Sequence, residues 1–292
     1  MATNNKTLEI DKDTKLVYVD SKHRYYINPK EIEEDGEITY KEDRNQEISS
    51  YHGSTTILSV LDKPALIPWA VKQGVEYVRK ETEGKPVISG EELGEILDNA
   101  KTKWREVRDL SAKIGTAVHH IAEAYAKHLN GKITEEEYNA LFQEELGSVE
   151  QEADKNKILG GATAFSNWLK KQKVKILDTE VLVANKDLKH ATMIDAIIQE
   201  KGKVGIIDYK TSNGVYLDHA LQIASGNLAY EKTTGKTVDF HYVVQFVKDT
   251  GEFNIYRFDK EQIEELTKIF IDTANLYNSK KIGEKIIKLI KE

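Results

Sequence analysis

The 292 residues contain no cysteine. That excludes disulfides, thiolate zinc sites and cysteine-ligated iron–sulfur clusters, and it fits the reducing cytoplasm of a bacterial or phage-infected cell. Any metal must be held by oxygen and nitrogen, ligands that suit Mg2+ or Mn2+. No run approaches eighteen apolar residues, so no membrane span is expected. Met1 to Lys15 is polar and lacks the apolar segment of a secretory signal. A positive balance is also missing. The net charge of −7 argues against a protein that coats nucleic acid by bulk electrostatics. It leaves room for an enzyme with a local basic groove, because metal-binding carboxylates push the total negative. What is present, 39% hydrophobic and 31% charged residues, suffices for a substantial core in one large domain with a small appendage.

Residues 1–50 are polar, with β-like runs at Leu16–Val19 and Tyr25–Ile27 and an acidic turn at Glu33-Glu34-Asp35-Gly36. They read as a hairpin-bearing extension packed on a single domain over 51–292. Ser54-Thr55-Thr56 is a cap for a helix from Ile57 to about Pro64, and another helix starts near Pro68. Glu81 to Gly94 reads as a loop. From Lys101 to Leu129, Val107, Leu110, Ile114, Val118, Ile121, Tyr125 and Leu129 recur at spacings of three and four, the apolar stripe of a helix. A further helix spans about 150–171, with Gly160-Gly161 a point of disturbance. Three β-branched runs follow: Val174–Ala184, Ala191–Gln199 and Lys203–Lys210. Then come a helix over 217–232, strands at Thr237–Phe246 and Glu252–Phe258, a helix capped by Asp259 that runs to about Tyr277, and a basic tail helix. This order predicts an α/β fold with a mixed sheet flanked by helices.

Along Ile206-Ile207-Asp208-Tyr209-Lys210, side chains alternate, so Asp208 and Lys210 share a face at the end of a strand that should be buried. Ionised groups rarely sit there without partners. If Lys201-Gly202 is a two-residue turn, paired positions sum to 403, and Asp195 lies directly across from Asp208. Opposed like charges repel, and a divalent cation between them removes the penalty. Glu180 on the strand before can join this face, but its connecting loop does not fix the pairing. On the long helix Gly115, His119 and Glu123 fall at four-residue intervals, which puts His119 at the rim of the core, within reach of a metal held by the sheet. Gly115 and Thr116 are small and permit close approach of a nucleic-acid backbone.

These residues together resemble the PD-(D/E)XK nuclease superfamily, in its RecB-like and phage-exonuclease branch without an iron–sulfur cluster. Gly115-Thr116-Ala117-Val118-His119 looks like the GTxxH helix motif of that branch. Met193-Ile194-Asp195 resembles the strand ending in the first catalytic acid, Asp208-Tyr209-Lys210 the DxK strand, and Leu221-Gln222 the glutamine of the next helix. Gly53 to Leu58, with Trp69 downstream, is similar to the start of phage and mitochondrial genome-maintenance exonucleases. The chain departs from the pattern at Thr192, where glycine is common, and at Gly226, where the helix motif carries tyrosine; here Tyr230 stands one turn further on.

The resemblance implies a restriction-endonuclease-like core and a DNA exonuclease of phage or recombination-type DNA processing. It implies Mg2+ or Mn2+ on His119, Asp195, Asp208 and the backbone carbonyl of Tyr209. Lys210 orients the attacking water or stabilises developing charge, and Gln222 holds Lys210 or the substrate. Glu123 and Glu180 take a second ion or water. Lys101, Lys103, Arg105, Arg108 and Lys113, with Thr116, are candidates to contact single- or double-stranded DNA. A recombination or single-strand-annealing protein, or further copies of the chain, are the partners it suggests.

Singly, each residue has an ordinary reading: His119 as a structural histidine, Asp208 and Lys210 as an edge-strand ion pair, the Lys/Arg run as a solvated helix face. Two other functions also fit parts of the pattern. One is a catalytically inactive nuclease-fold module that binds DNA or protein. The other is a metal-free acid–base hydrolase using Glu123 and Glu180.

Overall fold

The computed structural model describes residues 5–34, 37–41 and 51–290. The N-terminal part is more sheet than a single hairpin. Strands β1 (Lys6–Asp11), β2 (Thr14–Val19) and β3 (Arg24–Ile27) form one antiparallel sheet, and β4 (Lys30–Glu34) pairs with β5 (Glu37–Lys41) in a ribbon. The turn residues Asp35 and Gly36 lie outside the described residues. Leu8, Leu16, Tyr25 and Ile27 of the first sheet pack on Leu182, Ala184, Ala191 and Met193.

Those last four residues belong to the central five-stranded sheet. Its strands are β6 (Lys175–Asn185), β7 (His190–Glu200), β8 (Lys203–Lys210), β9 (Phe240–Val247) and β10 (Glu252–Phe258), in the order β10-β9-β8-β7-β6. All neighbours are antiparallel except β8 and β9, which run parallel across the connecting helix α6 (Leu217–Thr234). The mixed sheet flanked by helices is the architecture the sequence pattern predicts. On one face Ile198, Ile207, Tyr209 and Phe246 meet Ile114, Val118, Ile121, Phe165 and Trp168. These come from the long helix α3 (Gly90–Leu129) and from α5 (Glu152–Gln172). On the other face Ile194, Ile197, Ile206 and Val243 meet Ile223 and Tyr230 of α6 and Ile263 of the final helix α7 (Lys260–Ile290). A sheet apolar on both faces needs helices on both, which explains the near-continuous hydrophobic runs of β7, β8 and β9. Among the described residues, no helix is long and apolar enough to cross a membrane.

Several local expectations need correction. Ser54 does not cap α1 (Ser54–Ile57); Gly53 holds the cap position, and the Ser54 hydroxyl turns inward, 2.9 Å from both His190 Nε2 and Ser225 Oγ. The segment 83–94 is not all loop, because α3 begins at Gly90, where the Ser89 hydroxyl accepts from the Glu92 N–H at 3.1 Å. Helix α2 (Leu66–Thr82) precedes it, and α4 (Glu135–Gly147), which apolar spacing does not mark, follows it. Helix α5 runs unbroken through Gly160-Gly161. A Cβ at Gly160 would lie 1.7 Å from the Lys248 carbonyl oxygen, and one at Gly161 2.5 Å from Val118 Cγ2, so the pair answers to tight packing. Finally, α7 continues past Tyr277 to Ile290 as one helix. Lys281 in its tail has Nζ 2.9 Å from His52 Nε2.

Candidate active site

The hairpin between β7 and β8 positions the acids. Lys201 (φ 51°) and Gly202 (φ 83°) are both left-handed, the backbone of a two-residue type I′ turn, and the ladder runs from Glu200↔Lys203 to Ala196↔Ile207. Every pair sums to 403. The ladder stops one rung short of Asp195 and Asp208, so the two acids stand where the strands begin to part. Instead of a backbone pair at that rung, the Tyr209 N–H donates to Asp195 Oδ2 at 2.6 Å.

The strand on the other side of Asp195 adds what the sequence left open. Thr179 pairs with Ala196 and Val181 with Ile194, so Glu180 faces Asp195 across an interrupted rung. Glu180 adopts φ 50°, a left-handed conformation that costs a non-glycine residue free energy and that clusters at functional sites. Side-chain alternation slips at the same place. Ile194 and Ile197, an odd number of residues apart, pack in one cluster, while Ala196 and Ile198 pack in the other. The acids therefore sit at a local irregularity in two adjacent strands, close along β6 to the register shift between Ile176 and Asp178.

Helix α3 brings His119 over this edge. Its Nδ1 is 3.8 Å from Asp195 Oδ2, and its ring meets the Tyr209 ring edge-on at 6.0 Å. Close approach is possible because position 115 is glycine: a Cβ there would lie 3.0 Å from Thr211 Oγ1, just beyond the end of β8. Gly115 thus also serves the chain's own packing; Thr116 beside it is exposed. Lys210 Nζ lies 2.9 Å from Asp208 Oδ1, to which it donates, and 2.7 Å from Oδ2. Lys127 Nζ lies 2.8 Å from Glu123 Oε1. Neither of these last two oxygens gains a hydrogen bond of good geometry, although both are buried.

Burial sets the electrostatics. It pushes the Asp195 and Asp208 carboxyls above the ordinary range, with Lys210 opposing. It also raises Glu180 to about 8, reinforced by Asp195 and Glu123. Burial and the nearby Lys210 charge lower His119 to about 4, leaving a neutral imidazole able to ligate a metal. Burial works against the Lys210 ammonium, but Asp208 and Asp195 outweigh it and hold its pKa above the usual lysine value. Such carboxylates, crowded and short of compensating charge, call for a cation. The donor set of one imidazole nitrogen and carboxylate oxygens suits a hard divalent ion. Among the described residues, no three such side chains are already gathered closely enough to hold one, since Lys210 engages Asp208 and the Tyr209 N–H engages Asp195. The buried Asp208 Oδ2, without a hydrogen bond of good geometry although 2.7 Å from Lys210 Nζ, is chemically suited to accept a cation if that lysine shifts.

The other sequence candidates spread more widely. Gln222 is half-buried on α6, where its backbone carbonyl accepts from Ser225 Oγ at 2.7 Å. Lys103 is engaged by Glu106 at 2.6 Å and lies over the Tyr77 ring, Arg105 and Arg108 flank Trp104, and Lys113 is exposed. Three residues that sequence reasoning passed over also belong to the neighbourhood. Gln245, the one amide in the apolar run of β9, pairs in register with Lys210 and donates to the Ser212 carbonyl at 2.8 Å. Asp218, held by Lys63 at 2.7 Å, reinforces the Lys210 charge. Lys6, from the first strand, donates to the Glu180 carbonyl at 2.5 Å.

The sequence matches the family model of the PD-(D/E)XK nuclease superfamily over residues 95–284, more than half of the chain and a span that includes most of α3, the whole central sheet and most of α7. No curated protein matches it. A search of solved structures finds LHK-Exo in complex with dAMP at 13% identity and TM-score 0.32, covering 59% of this chain and 97% of that one. It also finds SSO0001 at 15% identity and TM-score 0.24, covering 71% and 85%. By the family match, with the α/β sheet and the strand-borne acids beneath it, the chain belongs to the PD-(D/E)XK nuclease superfamily.

Proposed function

We propose that the chain is a divalent-metal-dependent deoxyribonuclease, acting as an exonuclease in DNA processing. One observation carries this reading: Asp195 and Asp208 stand at the parting ends of adjacent strands, with neutral His119 above and Lys210 on the same strand. His119, Asp195, Asp208 and the Tyr209 carbonyl would hold Mg2+ or Mn2+. A bound ion supplies a water of lowered pKa and offsets charge on the scissile phosphate. Lys210, kept protonated by two carboxylates, is suited to orient that water or to meet charge developing on the phosphoryl oxygens. Glu180 and Glu123 flank the site, and Gln222 is placed on the helix that follows the catalytic strand. Lys113, Arg105 and Lys103 lie on the stretch of α3 that leads to His119, with Thr116 between, and would meet the DNA backbone.

The test is cleavage of linear, circular and single-stranded DNA by the purified chain, with and without Mg2+ or Mn2+. Metal-dependent degradation of linear DNA, with closed circles spared, is the expected result. Failure to cut any substrate would leave the inactive binding module, and cleavage that survives chelation would favour acid–base hydrolysis by Glu123 and Glu180.

A further inference from the structure

The side of the site away from Lys210 is built differently from a simple acidic pocket. Glu180 on β6 faces Asp195 across the interrupted rung, and the charges of Asp195 and of Glu123 on α3 push its carboxyl up. Two ammonium groups are set among them. Lys127, one turn along α3 from Glu123, reaches Glu123 Oε1 at 2.8 Å. Lys6 comes from 174 residues away in sequence; its Nζ donates to the Glu180 carbonyl at 2.5 Å, within Coulombic range of both glutamates and of Lys127. The left-handed backbone at Glu180 interrupts the β6–β7 ladder there, and its carbonyl takes Lys6 as partner.

We propose that Lys6, delivered by the N-terminal sheet, occupies together with Lys127 the place beside Glu123 and Glu180 that a second divalent cation would need, so that the site holds one ion. This rests on the nuclease reading above. Even with all four carboxylates Glu123, Glu180, Asp195 and Asp208 ionised, they would face the three ammoniums Lys6, Lys127 and Lys210. The balance is then at most a single negative charge, which one divalent ion already overcompensates. A second ion would also stand against two fixed ammoniums at short range, where like charges are costly. Lys127 thus offsets the Glu123 charge, and Lys6 acts as a positioning residue that holds the Glu180 backbone and sets the metal count without touching the reacting phosphate.

The test is Mn2+ stoichiometry, measured without DNA by calorimetry and by electron paramagnetic resonance of the unbound ion. The wild-type chain and Lys6→Arg are expected to bind one Mn2+ per chain. Lys6→Met, which keeps the aliphatic stem and removes the charge, is expected to bind two. Two ions on the wild-type chain, or one on folded Lys6→Met, would overturn the inference and leave the nuclease reading intact. Should Lys6→Met fail to fold, the wild-type count alone decides. No Mn2+ on the wild-type chain would instead remove the metal-dependent reading on which this one rests.

Discussion

Replacing Glu180 with glutamine should change how the metal-free protein responds to pH. The carboxyl of Glu180 is raised to about 8 in the folded chain, from an ordinary value of 4.5, by burial and by Asp195 and Glu123. The folded chain therefore binds this proton more tightly than the unfolded chain does. The resulting stability is fully present below pH 4.5 and is lost as pH rises through 8. His52, His119, His190, His219 and His241, all lowered by burial, act in the opposite sense, mainly below their unfolded value of 6.5 but with a tail above it. The Glu180 contribution between pH 6.5 and 8 is therefore read from the difference between wild type and Glu180→Gln. One proton held only by the folded state is worth about 1.4 kcal/mol for each pH unit, which makes the loss across that window at most about 1.6 kcal/mol. Urea unfolding in EDTA at pH 6.5, 7.25 and 8 measures it directly. The stability advantage of the wild type over Glu180→Gln should shrink by up to this amount over the range. A difference that stays level or grows would refute the picture of Glu180 as a crowded, protonated acid.

Further predictions concern the scaffold. Gly160→Ala drives a Cβ to within 1.7 Å of the Lys248 carbonyl oxygen, a backbone atom that cannot swing aside, and should cost at least about 1–3 kcal/mol in chemical denaturation. Gly202→Val puts a β-branched residue at φ 83° in the turn that sets the register of Asp195 and Asp208. It should lower stability by about 1–3 kcal/mol and reduce cleavage as well, which a nuclease assay at matched folded fraction would register. Trp168→Ala empties a fully buried site among Phe165, Tyr209 and Phe246 and should cost about 3–5 kcal/mol by the same unfolding measurement.

What can be read from the sequence is what local rules govern. A two-residue glycine turn fixes a hairpin register, so the adjacency of Asp195 and Asp208 follows from counting, and the strand ladder up to Ala196↔Ile207 agrees with it. Helical spacing likewise locates the stretch of α3 where Ile114, Val118 and Ile121 are buried, but it also counts Leu110 and Leu129, which are exposed, and misses the start at Gly90. The start of α3 is hidden by Gly90 and Gly94, though Ser89 followed by Glu92 is a readable cap. The same is true of Thr134 and Glu137 ahead of α4, where both halves of the capping box form. The pairing of Glu180 escapes because it passes through an irregular stretch of β6 and β7, for which no turn sets the count. Lys6 lies beyond any local rule, since a contact across 174 residues is made by tertiary packing alone.

The proposed chemistry depends on a single divalent ion shared by Asp195, Asp208 and His119. Its most direct test is the Mn2+ affinity of Asp195→Ala, Asp208→Ala and His119→Ala beside that of Glu145→Ala, an acid outside the proposed ligand set that pairs with His120. Each of the first three should weaken binding by at least about 10-fold, the range seen even for outer-shell partners of a metal, and Glu145→Ala should leave it unchanged. Wild-type affinity in all three site variants would contradict the claim.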